Sequence, residues 1–146
     1  MSFDQNTQSV RLSFLMLRLT RLYLKRLGDI AQEYQLSTDQ ILVLHFLGQT
    51  DDAFSIGKIA WQVPVQQPAV TKIVKKFENT GWVELVDGGN DRRVKKVKIT
   101  ADGHAKMGEI QNRLARNMLP FFGALDLEMK SNLAQVSERL IRVFGR

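Results

Sequence analysis

The sequence predicts a mostly α-helical domain that contains one short β-hairpin. Apolar residues recur at helical spacing through most of the chain, and serine, threonine, glycine and proline residues mark the ends of these segments. Two alternating, β-rich stretches, "WVELV" and "VKKVKI", flank the turn-like segment "DGGNDRR". A length of 146 residues fits one ordinary domain, and 44% hydrophobic residues are enough to bury a core.

Composition excludes several classes of protein. The chain has no cysteine, which excludes disulfides, thiolate zinc sites and thiol-based redox sensing by this chain. Five basic residues interrupt the apolar residues between Val10 and Leu27. We therefore find no signal peptide and no membrane span, and we expect a cytoplasmic protein with no membrane partner.

The positive charge is concentrated in the middle of the chain. The formal net charge is +6, and residues 58–98 contain nine Lys and Arg residues against four acidic residues, an excess of five. A localised basic patch suggests a polyanionic partner, either nucleic acid or, less often, an anionic membrane surface.

The N-terminal third predicts two helices. Residues 1–8 are polar and are expected to fray. Residues 9–34 predict a long helix that carries more large apolar residues than one core-facing stripe needs. Such a helix is either central and fully packed or also packed on a second subunit, and its width favours the second interpretation. Ser37 and Gln40 fit a capping box at the start of the next helix, which Gly48 ends.

The basic middle region predicts two further helices. A short helix follows the N-cap Ser55, with Ile56, Ile59 and Ala60 inward. A longer helix begins at Pro68, taken as the first helical position, and ends near Thr80. Its core-facing residues are Val70, Ile73, Val74 and Phe77. Its other face carries Gln66, Gln67, Ala69, Thr71, Lys72, Lys75 and Lys76.

The hairpin and two more helices complete the chain. Five basic residues lie at the hairpin tip and along one edge: Arg92, Arg93, Lys95, Lys96 and Lys98. Thr100 caps a helix from 101 to about 118, after which Pro120 and Gly123 are expected to break the chain. Asp126 starts the last helix, in which apolar residues repeat at spacings of four and three, a seam for helix packing: Met129, Leu133, Val136, Leu140 and Val143.

This order of elements predicts a winged helix-turn-helix, and its chemistry suits duplex DNA. A helix fits the major groove, where Gln can recognise adenine and Lys can contact guanine or phosphate. A basic hairpin beside it can contact phosphates and the narrow minor groove. Taken alone, "VKKVK" fits equally well an exposed edge strand whose lysines prevent aggregation. The basic hairpin and the Gln-bearing helix together favour DNA.

These motifs resemble the MarR family of bacterial transcriptional regulators over roughly residues 10–145. "AVTKIVKKFENTGWVELV" is similar to the family's recognition helix and first wing strand, with Thr71 and Lys72 at its Thr-Arg pair. "NDRRVKKVKITADG" is similar to its wing, with Asp91 and Arg93 at the D-x-R motif. Two departures affect base preference. Pro68 stands where Ser is common, and Lys72 provides a point charge where Arg would bind in bidentate fashion.

The resemblance implies a homodimer with interlocking terminal helices. Residues 9–34 and 101–146 would form the dimer and residues 35–100 the winged DNA-binding region, all within one domain. It implies that Asp91 holds the wing while Arg93 enters the minor groove. It also implies a repressor on a pseudo-palindromic operator, released by a small aromatic or phenolic effector bound between the dimer helices and the winged region. The expected DNA-binding residues are Gln66, Gln67, Pro68, Ala69, Thr71, Lys72, Lys75, Lys76, Asp91, Arg92, Arg93 and Lys95.

Other residue types suggest no catalytic site. His45 is expected to be packed and His104 exposed, and no third ligand has the spacing of a metal site. No Ser nucleophile has a matching His and acid, and no glycine-rich phosphate loop occurs, so we expect neither an enzyme nor a cofactor. The aromatic residues expected in a core or an interface are Trp61, Trp82, Phe121 and Phe122. The alternative function is a winged-helix module that contacts proteins and has no operator.

Overall fold

The computed structural model describes residues 2–89 and 95–145. Within them the chain forms six helices and two strands, which confirms the mostly helical fold with one hairpin. The elements in order are α1 (Ser2–Glu33), α2 (Thr38–Leu47), α3 (Ile56–Gln62), α4 (Gln67–Asn79), β1 (Val83–Asp87), β2 (Lys95–Ile99), α5 (Ala101–Phe122) and α6 (Leu127–Phe144). None of these helices is both long and apolar enough to cross a bilayer.

The chain divides into two compact units, one ending at Thr38 and the other beginning at Asp39. The first unit is α1 and the turn that follows it. The expectation that residues 1–8 fray is wrong for the described part, because the helix begins at Ser2. The hydroxyl groups of Ser9 and Ser13 donate to carbonyl oxygens four residues earlier, at 2.8 and 2.9 Å, so these polar side chains fit a helical backbone.

The end of α1 is a Schellman turn without glycine. Gln35 takes a positive φ of 56°. The Leu36 N–H donates to the Ala31 carbonyl at 2.9 Å, and the Gln35 N–H donates to the Gln32 carbonyl at 3.0 Å. These two bonds satisfy carbonyls that have no partner inside the helix. Most large apolar residues from Val10 to Leu24 are exposed on this unit, whereas Ile30 and Ala31 are buried.

The second unit holds the larger core. Apolar residues of α2, α3, α4, β2 and α5 are buried there, in agreement with the helical and strand spacing of the sequence. The fully or almost fully buried side chains include Val43, Leu44, Leu47, Ile59, Val70, Phe77, Val97 and Ile110. No residue of α6 that the structure describes is buried.

Helix starts follow the predicted caps at three places. Side-chain oxygens accept from backbone N–H groups three residues later, which satisfies donors that the first turn leaves without partners. The pairs are Ser55 with Lys58 (3.2 Å), Thr100 with Gly103 (3.1 Å) and Asp126 with Met129 (2.8 Å). The predicted start of α4 is one residue late: the helix begins at Gln67, so Pro68 occupies its second position.

Pro120 does not break the chain, contrary to the prediction. It lies inside α5, which continues to Phe122. The φ of proline is compatible with a helix, so the chain can continue past Pro120 at the cost of one backbone hydrogen bond. The predicted role of Gly123 holds, because it is the C-cap and its N–H donates to the Leu119 carbonyl at 2.6 Å.

The hairpin is antiparallel, and an isolated bridge lies on the other side of its second strand. β1 pairs with β2 in the register Val83 with Ile99 to Asp87 with Lys95. Phe54 adds a bridge on the other side of β2: its N–H donates to the Val97 carbonyl at 2.9 Å, and the Val97 N–H donates back at 2.7 Å. This bridge fixes the hairpin beside the start of α3.

Candidate nucleic-acid interface

Helix α4 has one buried face and one polar, basic face. Val70, Ile73, Val74 and Phe77 are buried against the core. Because a helix turns every 3.6 residues, the intervening positions point outwards. The exposed residues among those predicted to bind DNA are Gln66, Gln67, Pro68, Thr71, Lys72 and Lys75. The structure therefore brings six of the predicted residues together on one solvent-facing surface, which we call the α4 face.

The N-terminal end of the α4 face offers amide and hydroxyl groups. Gln66 is the N-cap, but its side chain makes no capping bond; its carbonyl accepts from the N–H groups of Ala69 and Val70, at 2.9 and 3.0 Å. The Thr71 hydroxyl donates to the Gln67 carbonyl at 3.0 Å, so its oxygen remains an acceptor. A helix N-terminus also carries partial positive charge, which favours an anion such as phosphate.

Two predicted residues of α4 differ from the others. Ala69 is half-buried and offers only a methyl group. Lys76 is also half-buried, and its Nζ donates to the Gln40 Oε1 of α2 at 3.1 Å. Lys76 thus serves at least partly to join α4 to α2, whereas the neighbouring Lys75 is exposed on the α4 face.

The hairpin contributes charged side chains at the end of β1 and along β2. Lys95 forms an ion pair with Asp87 across the two strands, with 2.5 Å between Nζ and Oδ1. Both side chains are more than half exposed, so solvent screens this pair. Lys96 and Lys98 are half-buried on β2. The predicted contacts Asp91, Arg92 and Arg93 lie outside the described residues.

Sequence reasoning missed one feature of α3. The Nζ of Lys58 lies 5.0 Å from the centre of the Trp61 ring, a cation–π contact. Trp61 is 69% exposed, so of the two predicted placements, a core or an interface, it does not occupy the core. Helical spacing contained the signal: Trp61 lies two residues after the buried Ile59, and that separation places the two side chains on nearly opposite sides of the helix.

The other aromatic residues are partly buried. Trp82 is half-buried, with its ring centre 5.5 Å from that of Phe77. Phe121 and Phe122 are half-buried and meet edge to face at 5.0 Å. These three positions fit the predicted packing roles of large aromatic side chains.

The two histidines lie in separate places and make different contacts. His45 is half-buried, and its Nε2 lies 2.9 Å from the Gln49 side-chain nitrogen. His104 was predicted to be exposed, and its side chain is 39% exposed, with its Nε2 3.2 Å from Asp51 Oδ1. Across residues 2–89 and 95–145, no three His, Asp or Glu side chains are grouped as metal ligands.

Comparison with known proteins supports the predicted resemblance. A family model described as MarR family matches residues 34–94, the segment that runs from the turn after α1 through α4 and into the hairpin. The predicted resemblance to the MarR family of winged-helix regulators is thus confirmed over this segment.

Two curated relatives have names that describe regulators of transcription. YwoH of Bacillus subtilis (strain 168), an uncharacterised transcriptional regulator, is 28% identical over 124 residues, which cover 85% of this chain and 86% of YwoH. The transcriptional repressor MprA of Escherichia coli (strain K12) is 28% identical over 71 residues, which cover 49% of this chain and 40% of MprA.

Solved structures of three other proteins share the fold. The regulator BldR of Sulfolobus solfataricus superposes with a TM-score of 0.79 at 22% identity, covering 97% of this chain and 99% of BldR. A mutant MarR of E. coli in complex with operator DNA has a TM-score of 0.75 at 17% identity, with 92% and 96% covered. CouR of Rhodococcus jostii RHA1 bound to p-coumaroyl-CoA has a TM-score of 0.77 at 17% identity, with 90% of each chain covered. The predicted winged-helix architecture is confirmed.

Proposed function

We propose that this protein is a sequence-specific DNA-binding transcriptional regulator that inserts α4 into the major groove. The α4 face carries the proposal, because it presents amide, hydroxyl and ammonium groups while the opposite side of the helix is anchored in the core. These are the groups that recognise base edges and phosphates, and the anchored side holds them in one orientation. Similarity to the MarR family and to the transcriptional regulator YwoH supports this role.

The residues of the α4 face divide by chemistry. Gln66 and Gln67 can make paired hydrogen bonds to adenine in the major groove, and Lys72 can contact guanine. Lys75, one turn further along, is suited to phosphate. The wing residues Arg92 and Arg93 would contact the backbone and the adjacent minor groove, with Asp91 holding the wing.

We propose a homodimer on a pseudo-palindromic operator. The apolar seam of α6 supports it, since Leu133 is 41% exposed in the single chain and no described residue of α6 is buried. The large apolar residues exposed on α1 support it as well. A second copy would cover these surfaces, and two recognition helices would meet half-sites separated by about one helical turn of DNA.

Regulation would be repression relieved by a small aromatic or phenolic ligand. The repressor role is supported by the relative MprA, which is named a transcriptional repressor. The ligand class is supported by the structural neighbour CouR, whose structure holds p-coumaroyl-CoA. A DNA-binding regulator of this kind acts in the cytoplasm, where its operator is accessible.

Selection of bound duplexes from a random DNA pool tests the proposal. We expect an enriched, two-fold symmetric sequence that the protein binds more tightly than a scrambled duplex of the same length. Repeating the binding assay with benzoate and 4-hydroxybenzoate tests ligand release. Absence of both an enriched sequence and any duplex affinity would favour the alternative, a winged-helix module that contacts proteins.

A further inference from the structure

Helix α3 presents a cation and an indole together on its solvent side. Lys58 and Trp61 are three residues apart, and the Lys58 Nζ lies 5.0 Å from the centre of the Trp61 ring. Both residues are exposed, and the indole of Trp61 is open to solvent over 69% of its surface. None of the DNA contacts assigned above uses either side chain.

The position of this pair follows from the packing of α3. Ile59 is fully buried and Val63 nearly so, which fixes the core-facing side of the helix. Residues one before and two after Ile59 point away from that side, so Lys58 and Trp61 share the outer surface. The following turn is short: α3 ends at Gln62 and α4 begins at Gln67. The pair therefore lies on the helix that directly precedes the recognition helix and packs against it.

We propose that Lys58 and Trp61 form a second DNA contact, on the sugar–phosphate backbone beside the groove that α4 enters. The inference rests on the proposed function and extends it to residues outside the α4 face. In helix-turn-helix proteins the first helix crosses the backbone while the second enters the major groove. The outward surface of α3 is the surface that this docking brings to the phosphates.

The chemistry of the pair matches a backbone and not a base edge. The Lys58 ammonium supplies a point charge for a phosphate oxygen. The Trp61 indole supplies one N–H donor, which can bond a second phosphate oxygen, and a flat apolar surface that can cover a deoxyribose. Contacts of this type set orientation and affinity but carry no direct sequence information.

Charge complementarity selects DNA as the occupant of this surface. Duplex DNA carries about one negative charge per 1.7 Å of its axis, whereas the cores of protein interfaces are depleted in lysine. Lys72 and Lys75 are exposed on the helix that packs against α3, so with Lys58 both helices carry exposed cations. A protein partner would have to bury Lys58 together with the ring it covers.

Fluorescence of Trp61 tests for contact directly. The chain has two tryptophans, so Trp82→Phe leaves Trp61 as the only indole. We expect a duplex selected by the wild-type protein to reduce acrylamide quenching of this indole at least about twofold, because backbone contact covers its exposed face. Quenching that is unchanged at saturating DNA overturns the proposal.

Binding assays with matched variants test the energetic role. Trp61→Ala and Lys58→Gln should each lower the affinity for the selected duplex and for a scrambled duplex by the same factor, about tenfold. Lys58→Gln should also reduce the magnitude of the slope of log affinity against log salt concentration by about one per half-site. Trp61→Phe keeps the ring and loses the N–H donor, so its loss should be smaller. Lys106→Gln is the matched control, since the Nζ of Lys106 on α5 lies 6.0 Å from the centre of the Trp82 ring, a similar pair outside the proposed contact.

The outcomes separate this inference from the proposed function. Thermal unfolding first establishes that each variant is folded; if Trp61→Ala is not, Lys58→Gln and Trp61→Phe carry the test. Wild-type protein without affinity for any duplex overturns the proposed function and this inference together. Wild-type binding with unchanged affinity in the Lys58 and Trp61 variants overturns this inference alone. A changed base preference in Trp61→Ala would also overturn it, because a backbone contact cannot change which bases are selected.

Discussion

The Lys76 side chain of α4 donates a hydrogen bond to the Gln40 side chain of α2, with 3.1 Å between Nζ and Oε1. The adjacent Lys75 is exposed. Two neighbouring lysines of one helix thus have different surroundings: Lys76 is bonded to a half-buried residue of α2, and Lys75 faces solvent. Their substitutions should separate stability from DNA binding.

Lys76→Ala should lower the free energy of unfolding by about 1–2 kcal/mol, because a partly buried charged hydrogen bond is lost. Lys75→Ala should change it by less than about 0.5 kcal/mol, as expected for an exposed position. Urea unfolding measures both. Gln40→Ala should cost about as much as Lys76→Ala, and the double variant should cost less than the sum. Equal effects of Lys75→Ala and Lys76→Ala would contradict this assignment.

Gly103→Ala should destabilise the protein by about 3 kcal/mol or more, because overpacking against backbone cannot be relieved by a rotamer change. A Cβ at Gly103 would lie 2.1 Å from the Trp82 carbonyl oxygen and 2.7 Å from Ile99 Cγ1. Gly108 lies on the same helix, and a Cβ added there would have no neighbouring heavy atom within 4 Å. Gly108→Ala should therefore be neutral or stabilising by up to about 1 kcal/mol. Thermal unfolding of the two variants distinguishes them, and similar melting temperatures would refute the packing argument.

Leu133→Glu should dissociate the proposed dimer. Leu133 lies on the apolar seam of α6, and a charge there would be buried without a partner if a second copy covers the seam. Sedimentation velocity at micromolar concentration should show a dimer for the wild type and a monomer, or an unfolded chain, for the variant. Ser131→Glu is the control, because Ser131 is exposed on the nearly opposite side of the same helix. A folded wild-type monomer would remove the dimer from the proposal.

DNA affinity should fall steeply with salt. Two copies of the chain offer up to eighteen basic residues in segment 58–98, nine in each copy, and about half of them are expected to meet phosphate. Roughly eight to ten contacts imply a slope of about −7 to −9 when the logarithm of the binding constant is plotted against that of salt concentration. Fluorescence anisotropy between about 50 and 200 mM salt measures the slope. A value near −2 would mean that the wing and helix lysines stay in solvent.

Arg93→Ala and Gln67→Ala should affect DNA binding differently, the first through overall affinity and the second through base preference. Arg93 is assigned to the minor groove, where little base information is available, so its loss should weaken all sites, with an extra loss at A·T-rich flanks. Gln67 is exposed on the α4 face, and its loss should change which core bases are selected. Each should cost about 1–3 kcal/mol per half-site. Asp91→Ala should resemble a milder Arg93→Ala, since its proposed role is to hold the wing. Unchanged affinity of dimeric Arg93→Ala would refute the wing assignment.

Local sequence was sufficient wherever the deciding interaction spans a few residues. The caps at Ser55, Thr100 and Asp126 were predictable because the acceptor and its N–H partner are three residues apart. The two faces of α4 were predictable because helical periodicity assigns them once Val70 and Phe77 are taken as core. The resemblance to the MarR family was predictable from motifs of the recognition helix and wing. Local rules gave the wrong result at Pro120, where the surrounding helix outweighs one lost hydrogen bond.

Contacts between distant residues could be known only from the tertiary structure. Gln40 and Lys76 are 36 residues apart, and no periodicity in either helix indicates that they meet. The space around Gly103 depends on where the Trp82 carbonyl comes to lie after the chain has turned through the hairpin. For Trp61, the sequence could indicate a side of α3 but not whether another element covers that side.

The sequence by itself determined the helices, the hairpin and the basic face of α4, because these depend on neighbours within a turn or a strand pair. Which of the outward residues remain exposed and which become joined to the core was decided by tertiary packing, because burial depends on elements that only folding brings together.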